Sequence, residues 1–213
     1  MEKEGQTENK VVLIGEASVG KTCIIVQFME GRFSQYISST ISAEFCRKKY
    51  EFPGNQSITL DIWDTAGQEK FRSLNRIFYS KAKAVILVYD ITNKRTFEEI
   101  KNYWYGQIID NCYKGVIIAV AANKSDLFEE REVSNEEGEE FANSINAIFS
   151  STSAKNNSGI TNLFENIATK LLDPAFKFSY NEHKVKKGET KSIKIEAENN
   201  KDNSGEKKKK KCC

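Results

Sequence analysis

The eight residues Gly15-Glu16-Ala17-Ser18-Val19-Gly20-Lys21-Thr22 constrain this chain more than any other stretch. They follow an apolar, β-branched run from Lys10 to Ile14 and precede a helical pattern from Cys23 to Glu30, so the unit reads strand, glycine-bounded loop, helix. The glycines let the backbone curl so that successive N–H groups and the helix N-terminus face an anion. Lys21 supplies a point charge and the Thr22 hydroxyl can reach a Mg²⁺ ion, which makes a phosphate the natural guest. Taken alone, the octapeptide could also be an ordinary strand-to-helix turn.

The rest of the chain repeats that alternation. Ala84 to Tyr89, Val116 to Ala122 and a weaker Ala147 to Ser150 are apolar on both faces, as buried strands of a mostly parallel sheet are. Between them, Thr96 with Glu99 and Ser134 with Glu137 have capping-box spacing and predict helix starts. Phe97, Ile100, Trp104 and Ile108 make one sheet-facing helical stripe, and Ile160, Leu163, Phe164, Ile167 and Leu171 another, which Pro174 stops. Glu44 to Phe52 and Ser57 to Trp63 flank Pro53-Gly54-Asn55, a turn too short for a crossover, so that pair must be antiparallel. The expected fold is a single α/β domain: six strands, mostly parallel, one antiparallel edge strand, helices on both faces.

Charge separates a body from a tail. Residues 174–213 hold 12 lysines against 6 acidic side chains, +6, while residues 1–173 carry −4, and the whole chain +2. Such a balance does not argue for nucleic acid. From Asn181 the composition turns polar, which predicts a disordered tail. The apolar runs fall short of a bilayer span, and the polar N-terminus lacks the order of a signal peptide, so the chain is expected inside the cell. The five cysteines, at 23, 46, 112, 212 and 213, have no metal-ligand spacing and suggest no disulfide framework. His183 is expected to be inert.

Three further motifs fall at expected strand ends. Asp64-Thr65-Ala66-Gly67-Gln68 closes the third strand, where Asp64 can hold a metal's water shell, Gly67 can bring its N–H to a terminal phosphate and Gln68 can orient a water. Asn123-Lys124-Ser125-Asp126 follows the fifth strand. The Asp126 carboxylate offers two acceptors to the ring N–H and exocyclic amine of guanine, a donor pair that adenine lacks. Ser153-Ala154-Lys155 follows the next strand, and the Ala154 N–H can reach the guanine O6. An isolated Asp at a strand end is otherwise a turn cap, and an isolated Asn-Lys-Ser-Asp a polar turn.

With these motifs in this order, residues 9–173 resemble the Ras superfamily of small GTPases. The strings Leu60 to Arg72 and Tyr89-Asp90-Ile91-Thr92, with Cys212-Cys213, resemble its Rab branch. The resemblance implies that GTP or GDP contacts Gly15, Ala17, Ser18, Val19, Gly20, Lys21, Thr22, Cys23, Phe33, Tyr36, Thr40, Asp64, Gly67, Asn123, Lys124, Asp126, Ser153, Ala154 and Lys155. It implies that Thr22, Thr40 and Asp64 hold Mg²⁺, that Phe33 packs on guanine, and that Ile41, Phe45, Trp63 and Phe78 are read by effectors. Gln68 and Lys21 are the expected catalytic pair. No matching arginine is identified in cis, so hydrolysis is expected to be slow, and a partner's arginine could add ~10³–10⁵-fold. Loss of the last phosphate should loosen residues 32–43 and 65–81 together.

Departures from the pattern are Ala17, close to the attacking water; Ser42, in place of the usual Gly; and Phe78-Tyr79-Ser80-Lys81-Ala82. Lys207 to Lys211 before Cys212 and Cys213 resembles a Rab terminus that takes two geranylgeranyl chains; alone it would read as a solvated charge run or a nuclear-import patch. The expected organisation is a flexible N-terminus over residues 1–9, a GTP-binding domain over 10–173 and a disordered basic tail over 174–213. The implied partners are an exchange factor, an activating protein, effectors, a GDP-dissociation inhibitor and the prenylation machinery. The chain is expected to be a monomer on the cytoplasmic face of an intracellular membrane, cycling with cytosol. Two alternatives stay open: a hydrolysis-impaired, constitutively GTP-bound scaffold, and a soluble nuclear-transport GTPase.

Overall fold

Val11 to Ile14 are fully buried, because β1 (Asn9–Ile14) runs through the middle of a sheet and has apolar side chains for both faces. The computed structural model describes residues 9–34, 40, 43–65, 79, 81–173 and 175. Among them β1 is followed by α1 (Lys21–Glu30), β2 (Glu44–Phe52), β3 (Gln56–Asp64), β4 (Ala84–Asp90) and α2 (Lys94–Glu99). A π-helical turn (Ile100–Trp104) leads into α3 (Tyr105–Asn111), then β5 (Ile117–Asn123), α4 (Asn135–Ser144), β6 (Ile148–Ser151) and α5 (Ile160–Leu172).

The strand order is β2-β3-β1-β4-β5-β6, with β2 antiparallel to β3 at the edge and every other pairing parallel. This is the expected sheet, and the Pro53-Gly54-Asn55 turn closes the hairpin with Phe52 opposite Gln56. Side chains of alternating direction divide the core in two. Val11, Leu13, Ile86 and Val88 pack with Ile24 and Phe28 of α1 and Leu163, Phe164 and Ile167 of α5. Val12, Ile14, Leu87 and Tyr89 pack on the other face with Phe97, Ile100, Trp104 and Ile108.

Both expected helical stripes are therefore core, but one of the two capping boxes is not formed. Ser134 Oγ accepts from the Glu137 N–H while a Glu137 carboxylate oxygen accepts from the Ser134 N–H. Thr96 caps nothing: α2 starts at Lys94 behind an extended Asn93, and Thr96 lies inside the helix. Its buried hydroxyl accepts from the Asp90 N–H at 3.0 Å and donates to the Asn93 carbonyl at 2.7 Å, so β4's end takes the group that the spacing assigned to the cap. The stripe from Phe97 to Ile108 is not one regular α-helix either, since the Tyr105 N–H bonds to the Ile100 carbonyl. Pro174 and residues 176–213 of the tail lie outside the described residues. Among the described residues no helix is long and apolar enough to cross a membrane.

Candidate functional site

The parallel strands leave their carboxyl ends at one rim of the sheet, where residues 15–22, Asp64, residues 123–126 and residues 153–155 lie at or just beyond the ends of β1, β3, β5 and β6. Gly15 has φ +148°, Ser18 +63° and Gly20 +94°, so the loop between β1 and α1 turns repeatedly through left-handed conformations. Two glycines are required by contact as well as by angle. A Cβ on Gly15 would lie 2.2 Å from the Val88 carbonyl oxygen, and one on Gly20 would lie 2.4 Å from Asn123 Nδ2.

Lys21, buried in the first turn of α1, folds back beneath this loop. Its Nζ donates to the carbonyls of Gly15 at 3.0 Å and Glu16 at 2.7 Å. Burial pushes its ammonium down to about 8, against the attraction of the Asp64 and Glu16 carboxylates. The loop thus presents its crest, Ala17 and Ser18, to solvent, while Val19 is buried.

Beside the lysine three side chains meet. Thr22 Oγ1 donates to Asp64 Oδ2 at 2.6 Å and lies 2.8 Å from Thr40 Oγ1, which is 3.3 Å from the same carboxylate oxygen. Asp64 is buried, and its other oxygen, Oδ1, has no hydrogen-bond partner among the described residues. Burial raises this carboxyl above the usual carboxylate range, with Thr22, Lys21 and Thr40 pulling it back. Two hydroxyls and one orphaned carboxylate oxygen form a hard, oxygen-only donor set, which suits a Mg²⁺ ion that keeps water and phosphate ligands. Among the described residues no cluster of three or more His, Cys, Asp or Glu could hold a metal.

The far end of the rim is a polar bracket. Ser153 Oγ donates to Asp126 Oδ1 at 2.6 Å and accepts from the Asn156 N–H at 3.1 Å, while Lys155 Nζ is 3.9 Å from Asp126 Oδ2. Ala154 is buried beside them, and Phe33 is exposed. Asn123, almost wholly buried, donates from Nδ2 to the Val19 carbonyl at 2.7 Å and accepts from Thr152 Oγ1 at 3.2 Å, which ties the end of β5 to the phosphate-type loop. Lys124, at φ +65°, pairs with Asp90 Oδ2 at 2.6 Å. Cys23 is half-buried, and burial raises its thiol.

The sequence reading gave Asp90 and Thr152 no role. Asp90 ends a strand of wholly buried residues in register with Asn123, and an acidic residue in that place was the signal available. Thr65, also buried, donates to the Leu13 carbonyl at 2.6 Å and fixes the turn after Asp64 to β1. On the β2–β3 hairpin, Phe45 lies opposite Trp63 with ring centroids 5.2 Å apart. Arg47 lies over Phe45 and Lys10 over Trp63, at 5.5 and 4.7 Å from the ring centroids. Tyr36, Ile41, Ser42, Gly67, Gln68, Phe78, Cys212 and Cys213 lie outside the described residues.

A family profile described as Ras family matches residues 10–173. Ras-related protein RabC of Dictyostelium discoideum is 40% identical over 157 residues, 73% of this chain and 80% of that protein. Human Ras-related protein Rab-21 is 39% identical over 166 residues, 78% of this chain and 73% of its own length. Human Ras-related protein Rab-22A is 41% identical over 164 residues, 77% and 84% of the two chains.

Proposed function

The chain belongs to the Ras family as a Rab-type small GTPase of vesicle traffic, and from that premise we propose how its own residues bind and turn over the nucleotide. The carrying observation is the joint placement of the Lys21 loop and the Thr22–Thr40–Asp64 corner at one rim of the sheet, with the Asp126 bracket at its far end.

In this reading the loop amides from Ala17 to Cys23 surround the phosphates, with the Lys21 ammonium placed among them. The Asp126 carboxylate, oriented by Ser153, takes the two guanine N–H donors; Ala154 N–H serves the guanine O6, and Phe33 covers the base. Asn123 and Lys124 act mainly by fixing this frame, through Val19 and Asp90. Thr22, Thr40 and Asp64 would hold Mg²⁺, which supplies charge neutralisation of the phosphates when bound. Gln68 would orient the attacking water, and the γ-phosphate would hold Thr40 and Gly67 in place, so that residues 32–43 and 65–81 order together. Hydrolysis is slow until an activating protein brings an arginine to the site.

The same reading makes residues 10–173 the GTP-binding domain and residues 174–213 a disordered basic tail. Phe45 and Trp63, with Ile41 and Phe78, would form the surface that effectors read when GTP is bound. Cys212 and Cys213 would carry prenyl chains and, with the lysines beside them, anchor a monomer to the cytoplasmic face of a membrane. An exchange factor, an activating protein and a GDP-dissociation inhibitor would act on it in turn.

Nucleotide released by denaturing the purified protein should be GDP or GTP, identified by ion-pair chromatography, and recovery of ATP would overturn the reading. Asp126→Ala should lower the preference for GDP over ADP by about 10²-fold or more, because it removes both acceptors that distinguish the bases. Competition of the two nucleotides against a fluorescent GDP reads this ratio. Replacing Cys212 and Cys213 together by serine should move a tagged chain from membranes to the soluble fraction, and unchanged membrane binding would remove the lipid anchor from the proposal.

A further inference from the structure

In the sequence motif Glu16 occupies one of the unspecified positions between Gly15 and Gly20, yet both its main chain and its side chain are engaged. Its carbonyl accepts from Lys21 Nζ at 2.7 Å. Its carboxylate Oε1 accepts from the indole Nε1–H of Trp104 at 3.1 Å, a contact across 88 residues of sequence. Trp104 is wholly buried and ends the π-helical turn, an insertion of one extra residue per turn that recurs at functional positions of helices. Tyr103 packs edge-on against it, with centroids 5.0 Å apart and planes at 77°.

We infer that Trp104 is a positioning residue of the nucleotide site, acting through Glu16 on the first turn of the phosphate loop. That turn is held from two directions. Gly15 lies against the Val88 carbonyl of β4, and the Glu16 side chain is drawn to the helix that covers the opposite face of the sheet from α1. Ala17, the next residue, is exposed at the crest. A hydrogen bond to a carboxylate is stronger than one between neutral groups, and fixing the Glu16 side chain fixes the peptide planes on either side of it. The Ala17 N–H then faces the phosphates without reordering when a nucleotide arrives, so the indole favours the bound state over the free one.

This inference rests on the loop being a phosphate site. A parent protein that holds no GDP would overturn both readings; every other outcome concerns Trp104 alone. The experiment follows release of a fluorescent GDP analogue from the full chain. Trp104→Phe keeps an aromatic ring and removes the donor, and release should be about tenfold faster. Glu16→Leu, which also removes a carboxylate that attracts Lys21, should accelerate release at least as much, and the double variant should be no faster than Glu16→Leu, where the indole bond is already lost. Glu16→Gln, which keeps an acceptor oxygen, should recover most of the retention that Glu16→Leu loses. In proton NMR the Trp104 indole N–H should lie downfield and exchange slowly in the parent, and lose both properties in Glu16→Leu while the ring stays buried. A folded Trp104→Phe that releases GDP at the parental rate would overturn the inference. So would accelerations that multiply in the double variant, and, if Trp104→Phe does not fold, Glu16→Leu releasing GDP at the parental rate.

Discussion

Lys21→Met should weaken GDP binding by roughly 10²–10³-fold, because it removes the buried cation that meets the phosphates and leaves their charge to Mg²⁺ and the loop amides. In nucleotide-free protein, where no bound ligand adds to stability, the same substitution should not lower the midpoint of urea unfolding. The parent ammonium is buried at the foot of α1, where its solvation is lost and two backbone carbonyls replace water, so its charge does not favour the fold. Titration calorimetry for GDP and a urea curve for each protein test the pair of outcomes. Equal GDP affinity in the variant would remove Lys21 from the site.

The pH dependence of binding follows from the same group. Surrounded by protein groups, Lys21 titrates at about 8, below the ordinary lysine value, and phosphates beside it raise that value again. Below pH 8 the ammonium is protonated both free and bound, and this group leaves affinity flat. Above pH 8 binding must take up a proton, so affinity should fall as pH rises, towards about tenfold per unit, until the bound-state value is reached. Calorimetry in buffers of different ionisation enthalpy reads the proton uptake directly, and release of a proton instead would contradict the sign.

Gly15→Ala should destabilise the fold by roughly 3–5 kcal/mol. The new methyl would lie 2.2 Å from the Val88 carbonyl oxygen, a backbone atom inside β4 that cannot turn aside as a side-chain tip can, and φ +148° is itself strained for alanine. Gly31→Ala is the control. Gly31 has φ +65° with nothing within 4 Å of its added Cβ, so it should show only the backbone strain, about 1 kcal/mol. Urea denaturation of both proteins separates close approach from conformational preference. If Gly15→Ala lost no more stability than Gly31→Ala, the contact with β4 would not be what requires the glycine.

Much of the architecture was legible along the chain because it follows from local periodicity. Ala84 to Tyr89 and Ile117 to Ala122 are apolar at every position, which only a strand covered on both faces tolerates, and three residues at Pro53-Gly54-Asn55 permit only a hairpin. Thr96 was misread for a reason of the same kind. Capping-box spacing describes what a hydroxyl can reach within its own helix, and it carries no information about the Asp90 N–H that Thr96 meets instead. The π-helical turn at Ile100–Trp104 was equally invisible, since positions 97, 100, 104 and 108 share a face in a regular helix too.

Within the site the division is sharper. Sequence by itself determined the fold class and which residue types stand at the strand ends, because glycine, lysine, hydroxyl and carboxylate have fixed chemical capacities and short turns keep them beside their strands. Tertiary structure alone decided the pairings: Thr22 with Asp64, Asn123 with Val19, Ser153 with Asp126, Lys124 with Asp90 and Trp104 with Glu16. Each joins groups brought together by the order β2-β3-β1-β4-β5-β6 and by how the helices seat on it. Hydrogen-bond reach is about 3 Å, so a partner far along the chain is chosen by packing and not by spacing.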